Sequence, residues 1–238
     1  MQFDLLACIE LTVSAAIVVV AMAVAFGTGT GERLRIAGGL GLWFAVVVLM
    51  AATRFLTYPN GLGVPGLGLA VALPILVLTV AVKRSPALFR ALQTLPLHLL
   101  IGVHAVRVLG VSFLLLYVAG RLPAPFAPVA GWGDLLAGLA ALPIAWQIYR
   151  QNEPAWPLAW IWNMFGLLDL FTAVALGATS SPGPIRLFDM APGTVIMTTL
   201  PWLIVPGFIV PLLICTHFAV FYRLARMPHN LRAQTSGH

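Results

Sequence analysis

Residues 5–26 read LLACIELTVSAAIVVVAMAVAF, a run whose only ionisable side chain near its middle third is Glu10. Wound as an α-helix at about 1.5 Å per residue, such a run crosses a hydrocarbon layer about 30 Å thick. As a barrel strand it fails, because those strands alternate apolar and polar residues over about ten positions. The stretch Ala15–Ala25 shows no alternation. In lipid each backbone N–H and C=O needs a partner within the segment, and the helix supplies it. Asp4 and the lack of a basic residue before the run argue for a retained membrane helix, not a cleaved leader.

Working outward, six more runs of the same kind occur, at Leu34–Phe55, Leu62–Val82, Leu97–Gly120, Phe126–Tyr149, Trp156–Ala178 and Val195–Tyr222. Turn-forming stretches separate them: Gly27–Gly31, Tyr58-Pro59-Asn60-Gly61, Lys83-Arg84-Ser85-Pro86, Arg121–Pro125, Gln151–Pro154 and Ser180–Arg186. No break is long enough for a second folded unit, so residues 1–238 are expected to form one all-α transmembrane bundle of seven spans. Composition agrees. The chain is 61% hydrophobic and 8% charged, with a mean hydropathy of +0.99, whereas a water-soluble surface needs roughly 25% charged residues.

Orientation is read from Lys and Arg, which accumulate on cytoplasmic connections. Arg33, Arg35, Lys83, Arg84, Arg90, Arg150, Arg223, Arg226 and Arg232 fall on one side, nine in all, against Arg54, Arg121 and Arg186 on the other. The expected topology has the N-terminus outside and the C-terminus in the cytoplasm. Trp132 and Trp202 near the outer ends, and Trp146 and Trp156 near the inner ends, read as aromatic belts. The net charge of +6 comes from residues scattered at helix ends, which suits anionic lipid headgroups and not nucleic acid. Twelve Arg against one Lys suggests a GC-rich bacterial genome, and hence the bacterial cytoplasmic (inner) membrane. Cys8 and Cys215 fall near opposite faces, so no disulfide is expected between them.

Ionisable groups at hydrocarbon depth cost roughly 2.5–3.5 kcal/mol each unless paired or hydrated, and so mark the informative positions. Here they are Glu10, His104, Arg107, Asp134, Asp169 and His217, with His98 nearer a helix end. At 100° per residue, Gln93, His104, Arg107 and Val111 share one face of the fourth span and His98 points away. Asp134 shares its face with Ala137, Gly138, Ala141 and Ala145, a small-residue stripe that lets a neighbouring helix approach. Asp169 lies with Trp162, Ala173 and Leu176, and Asn163 well to the side. Glu10 lies with Ser14, and Thr199, Pro206 and Leu213 line up with His217. By depth, Arg107 and Asp169 meet at the centre, Glu10 and Asp134 lie in the outer half, and His104, Asn163 and His217 in the inner half. An Arg107–Asp169 ion pair, with Asp134 as a second partner, is the expected arrangement. An arginine stripped of its partner cannot shed its charge, so loss of Asp169 is expected to harm folding more than loss of Arg107.

Pro201, Pro206 and Pro211 recur every five residues in the seventh run, and each removes a backbone donor, so that helix should be kinked or opened. Opened helices line substrate sites in transporters, although kinks more often only shape packing. Several chemistries are absent. Gly61-Leu62-Gly63-Val64-Pro65-Gly66 matches a dinucleotide fingerprint but opens a membrane span, and no strand precedes it. The only lysine, Lys83, is placed in a loop, which excludes a retinal Schiff base. The residue four after His217 is Phe221, which breaks the HxxxH pattern of seven-helix zinc hydrolases.

The residues Glu10, His104, Arg107, Asp134, Asn163, Asp169 and His217 therefore form a candidate binding or proton-relay set for proton-linked binding or transport of a small solute. Two other readings remain. His104 and His217 could ligate haem or a metal in a lipid or quinone enzyme. The buried charges could instead only fix helix register in a structural or accessory subunit. The catalytic residues, cofactor and partner subunits are not specified by the sequence.

Overall fold

The computed structural model describes residues 2–152 and 155–226; Pro154 and Arg232 lie outside them. The helices are α1 (Gln2–Phe26), α2 (Thr30–Ala52), α3 (Gly63–Arg84), α4 (Pro86–Thr94), α5 (Leu97–Gly102), α6 (Val111–Val118), α7 (Phe126–Tyr149), α8 (Ala155–Thr179) and α9 (Val210–Ala225). A 3₁₀ segment, Val103–Gly110, joins α5 to α6, and a π-helical turn, Val205–Ile209, leads into α9. No strand occurs among the described residues. Seven helical stretches are long and apolar enough to cross a membrane. Their outward faces carry large apolar side chains such as Leu5, Ile17, Leu42, Leu73, Leu139 and Ile161, as a lipid-facing surface requires.

Helix α7 turns one face outward, with Leu136, Leu139 and Trp146 exposed, and the other into the bundle. It buries Ala130, Gly131, Gly133, Ala137, Gly138 and Ala141, and packs against the 3₁₀ segment, α5 and α6 on one side and α8 on the other. Because lipid supplies no hydrophobic drive between helices, it is these small residues that matter: they let backbones come close enough for dispersion and polar contacts. Helix α9 packs on α3, α5 and α8, and α1 packs on α2.

The first six spans agree with the hydropathy within a few residues at each end, apart from Lys83, which lies in the last turn of α3 and not in a loop. The third connection also contains a helix that hydropathy does not show. Ser85 caps it by accepting from Leu88 N–H at 3.3 Å, Pro86 sits in its first turn and Ala91 and Leu92 are its buried face.

The seventh span departs most. A helix over 195–222 is expected, yet the spanning helix begins at Val205, preceded by a 3₁₀ turn, Val195–Thr198, and an extended Thr199. Prolines are the cause, since Pro201, Pro206 and Pro211 each lack a backbone donor. Pro211 cannot bond the carbonyl of Gly207 one turn earlier, and the indole N–H of Trp43 on α2 donates to that oxygen instead, at 3.1 Å. Phe208 beside it packs tilted against the Trp43 ring, with centroids 4.7 Å apart and planes at 56°. The indole of Trp202 does not face lipid as a belt residue would: it is 1% exposed, in the core. Trp132 and Trp146 do face outward.

Candidate functional site

In the 3₁₀ segment each residue turns 120° and i, i+3 side chains eclipse. Ile101, His104, Arg107 and Gly110 are accordingly buried at every third position, with the residues between them partly exposed. The 100° spacing of an α-helix puts Val111 on this face, but Val111 is 38% exposed and Gly110 takes its place. An eight-residue 3₁₀ run is unusually long for so strained a geometry. Its effect is to present an imidazole and a guanidinium in line to the centre of the bundle.

Arg107 is 3% exposed and every arm of its guanidinium is engaged. Nε donates to Asp134 Oδ1 on α7 at 2.7 Å. Nη2 donates to Asp169 Oδ2 on α8. Nη1 donates to the carbonyl of Gly166 at 3.0 Å and reaches Nε2 of His217 on α9 at 3.1 Å. One side chain thus ties four spans together. The approach depends on glycine at two places. A Cβ at Gly133 would run into the Asp169 carboxylate, and one at Gly166 would lie 2.6 Å from His217 Cε1 and 2.9 Å from Arg107 Nη1.

A guanidinium only donates, so His217 Nε2 must accept, and its proton resides on Nδ1. Nδ1 then donates to Asn163 Oδ1 at 2.7 Å, and Asn163 Nδ2 donates to the backbone carbonyl of His217 at 3.1 Å. Asn163 and Asp169 point to different neighbours from α8, and both are buried. The His104 ring lies 4.1 Å from that of His217. Thr216 donates to Leu213 C=O at 2.8 Å, so towards His104 Nε2, 2.9 Å away, it accepts. Nδ1 of His104 finds no partner among the described residues. Trp162 closes this side. It lies edge-on to His104 with centroids 5.2 Å apart and donates to Ala137 C=O at 2.9 Å.

Glu10 stands apart from this network. Its carboxylate is met by the hydroxyl of Ser112 on α6 at 3.3 Å, and the bond to Ser14 that their shared face suggests is not made. A cavity of about 30 Å³ lined by Leu11, Ser112, Gly110, Arg107, Asp134 and Trp202 lies between Ser112 and the cluster. A second, of about 80 Å³, lies between α3 and α8, with Asp134 again in its wall. The alignment of Thr199 with His217 does not occur, because Thr199 precedes the helix and the π turn, with more residues in each turn than an α-helix, shifts the phase of α9. His98 packs edge-on to Tyr149, with centroids 5.0 Å apart.

The histidine pair does not suit axial ligation of a haem. The rings touch each other, leaving no gap for a macrocycle between them, and both Nε2 atoms are already hydrogen-bonded. Cys8 and Cys215 are both free. Sequence reasoning passes over Thr216, Ser112, Gly133 and the Gly166 carbonyl. The signals for two of them are the step from Gly166 to Asp169, which puts a backbone carbonyl beside a carboxylate on one helix face, and the adjacency of Thr216 to His217.

The fold and site define a polytopic α-helical membrane protein with a buried ionic cluster. Residues 64–225 match the family described as Domain of unknown function (DUF8737), and the chain belongs to it. The matched stretch contains Arg107 and all its partners and leaves out α1 and α2, hence Glu10 and Trp43. No curated protein and no solved structure matches the chain.

Proposed function

We propose that the Arg107 cluster is a proton-binding centre, and that the protein couples this proton to binding or movement of a small solute through the membrane. The observation that carries the reading is a charge count: one guanidinium holds two carboxylates, Asp134 and Asp169. At hydrocarbon depth an unbalanced charge is costly, so the cluster is electrically complete only with one further positive charge. A proton bound between two carboxylates is the smallest that serves.

Access supports the same reading. Asp134 borders both cavities, and Glu10 with Ser112 lies beyond the smaller one. A cavity needs roughly 10–15 Å³ to hold a water, so about 30 Å³ admits water between Ser112 and Asp134. In the other direction Trp162, Leu100, Ile101, Ala141 and Val220 belong to one buried apolar cluster. The smaller cavity leads the proton from the side of Glu10 and Ser112, towards the end of the bundle where Arg121 pairs with Asp4, the outer face in the proposed topology. His217, held neutral as an acceptor, and Asn163 position the guanidinium and do not relay the proton.

The purely structural reading draws on the complete saturation of Arg107. Infrared spectroscopy of the protein in lipid at neutral pH separates the two. A proton-binding centre gives a protonated-carboxyl C=O stretch, lost in both Asp134→Asn and Asp169→Asn, where a single carboxylate is left to balance the arginine. A wild-type spectrum lacking that band would sink the proton reading.

A further inference from the structure

The larger cavity has a composition that the proton alone does not explain. Its walls are mostly apolar, built from Val64, Leu67 and Val71 on α3, Phe126 at the start of α7, and Leu170 and Val174 on α8, yet Asp134 is among the residues that line it. Asp134 Oδ1 is taken by Arg107, while Oδ2 has no hydrogen bond among the described residues. Gly68 at the rim of this cleft is exposed, and Leu67, Val174, Gly177 and Ala178 are half-exposed, so the cleft opens sideways between the third and sixth spans. Pro206, in the π turn, forms part of its inner wall.

We propose that this lateral cleft binds a small organic cation, a primary alkylammonium, whose charged head meets Asp134 and whose alkyl body lies against the apolar walls. The proposal rests on the charge count of the proton-binding centre, because it assigns the missing positive charge two alternative carriers at one carboxylate. Charge complementarity selects the sign: a neutral alcohol satisfies the walls and not the charge, and a carboxylate adds to the excess. Size selects the head. At roughly 10–15 Å³ for each water-sized group, about 80 Å³ has room for several such groups, so the ammonium and its first carbons fit inside and a longer chain extends through the opening. The exchange balances as one cation in and one proton out. The ammonium N–H donates to Oδ2, and the displaced proton leaves through the smaller cavity past Ser112 and Glu10.

The test is titration calorimetry of the full chain in phosphatidylcholine nanodiscs with n-butylammonium, 1-butanol as the neutral control, and empty nanodiscs subtracted for partitioning. Repeating it in two buffers of different ionisation enthalpy counts the protons released. Saturable binding of n-butylammonium and none of 1-butanol is expected. Asp134→Asn should weaken binding by at least about tenfold, the scale of one charge-assisted hydrogen bond. Gly68→Phe, which leaves the ionic cluster untouched and whose Cβ meets nothing within 4 Å, should weaken it similarly by filling the rim. No saturable binding, equal affinity for the alcohol, or unchanged affinity in both variants overturns the cation site. Absence of binding with the carboxyl infrared band intact overturns this inference and leaves the proton reading standing. Saturable, Asp134-dependent binding with no proton released upholds the site and removes the proton reading.

Discussion

Nη1 of Arg107 lies 3.1 Å from Nε2 of His217, and since the guanidinium can only donate, the imidazole is fixed as its acceptor. His217→Phe removes that acceptor and leaves the Asn163 amide oxygen without its partner. A stranded buried acceptor costs about 1–3 kcal/mol, and thermal unfolding in detergent should show a loss of that order. His104→Phe is expected to stay within about 1 kcal/mol of wild type, because it deletes an Nδ1 that is already unpartnered and keeps the ring contact with Trp162. If His104→Phe proves the worse of the two, the assignment of roles in the pair is wrong.

The second carboxylate on Arg107 reverses an order that a lone central pair implies. With one partner only, removing Asp169 strands a charge that cannot be shed. With Asp134 also bound at 2.7 Å, Asp169→Asn leaves a balanced pair, and the new amide oxygen can still accept from Nη2. Its cost should be near 1 kcal/mol. Arg107→Gln removes the donor from two carboxylates, a backbone carbonyl and an imidazole at once, and should cost roughly 3–5 kcal/mol. A double-mutant cycle on detergent stability should return a coupling energy well above the error. Strict additivity of the two losses would break the proposed pairing.

The spans were legible because twenty-odd apolar residues have only one way to satisfy their backbone in lipid, and Arg107, Asp134 and Asp169 stood out because ionised groups are expensive there. The departures of the chain from ideal winding were not legible. Arg107 and His104 share a face under either 100° or 120° per residue, so their grouping survives; Val111 and Gly110 trade places because only one of those angles is right. Thr199 drops out of line with His217 for a similar reason, the π turn after Pro206 having altered the phase. Ser112 escapes notice as a partner of Glu10 because no periodicity within one helix reports which neighbour it will face.

Close approach around the cluster is a packing claim that glycine can test. Gly166→Ala puts a methyl group 2.6 Å from His217 Cε1 and 2.9 Å from Arg107 Nη1, neither of which can retreat without giving up a hydrogen bond. Overpacking of this kind costs about 1–3 kcal/mol. Gly39→Ala on α2, where a Cβ meets nothing within 4 Å, should be neutral or stabilising by up to about 1 kcal/mol through helix propensity. Equal melting temperatures for the two variants would refute the tight contact at Gly166.

The orientation is predicted from nine basic residues against three on the two sets of connections. Fused at the C-terminus, green fluorescent protein should fluoresce and alkaline phosphatase should be inactive. The opposite pair of results places that end outside and inverts the proposed direction of proton access.

The 3₁₀ winding of the fourth span also gives the bundle a screw with two possible pitches. Over the eight residues Val103–Gly110, a rise of about 2.0 Å per residue in place of about 1.5 Å makes the segment about 4 Å longer than an α-helix of the same sequence. Rewinding it would draw α5 and α6 together by that length and swing Arg107 around the axis, away from α7 and α8. The ionic contacts of Arg107 and the longer form of the fourth span therefore go together: the guanidinium meets both Asp134 and Asp169 at the place where the 3₁₀ winding puts it.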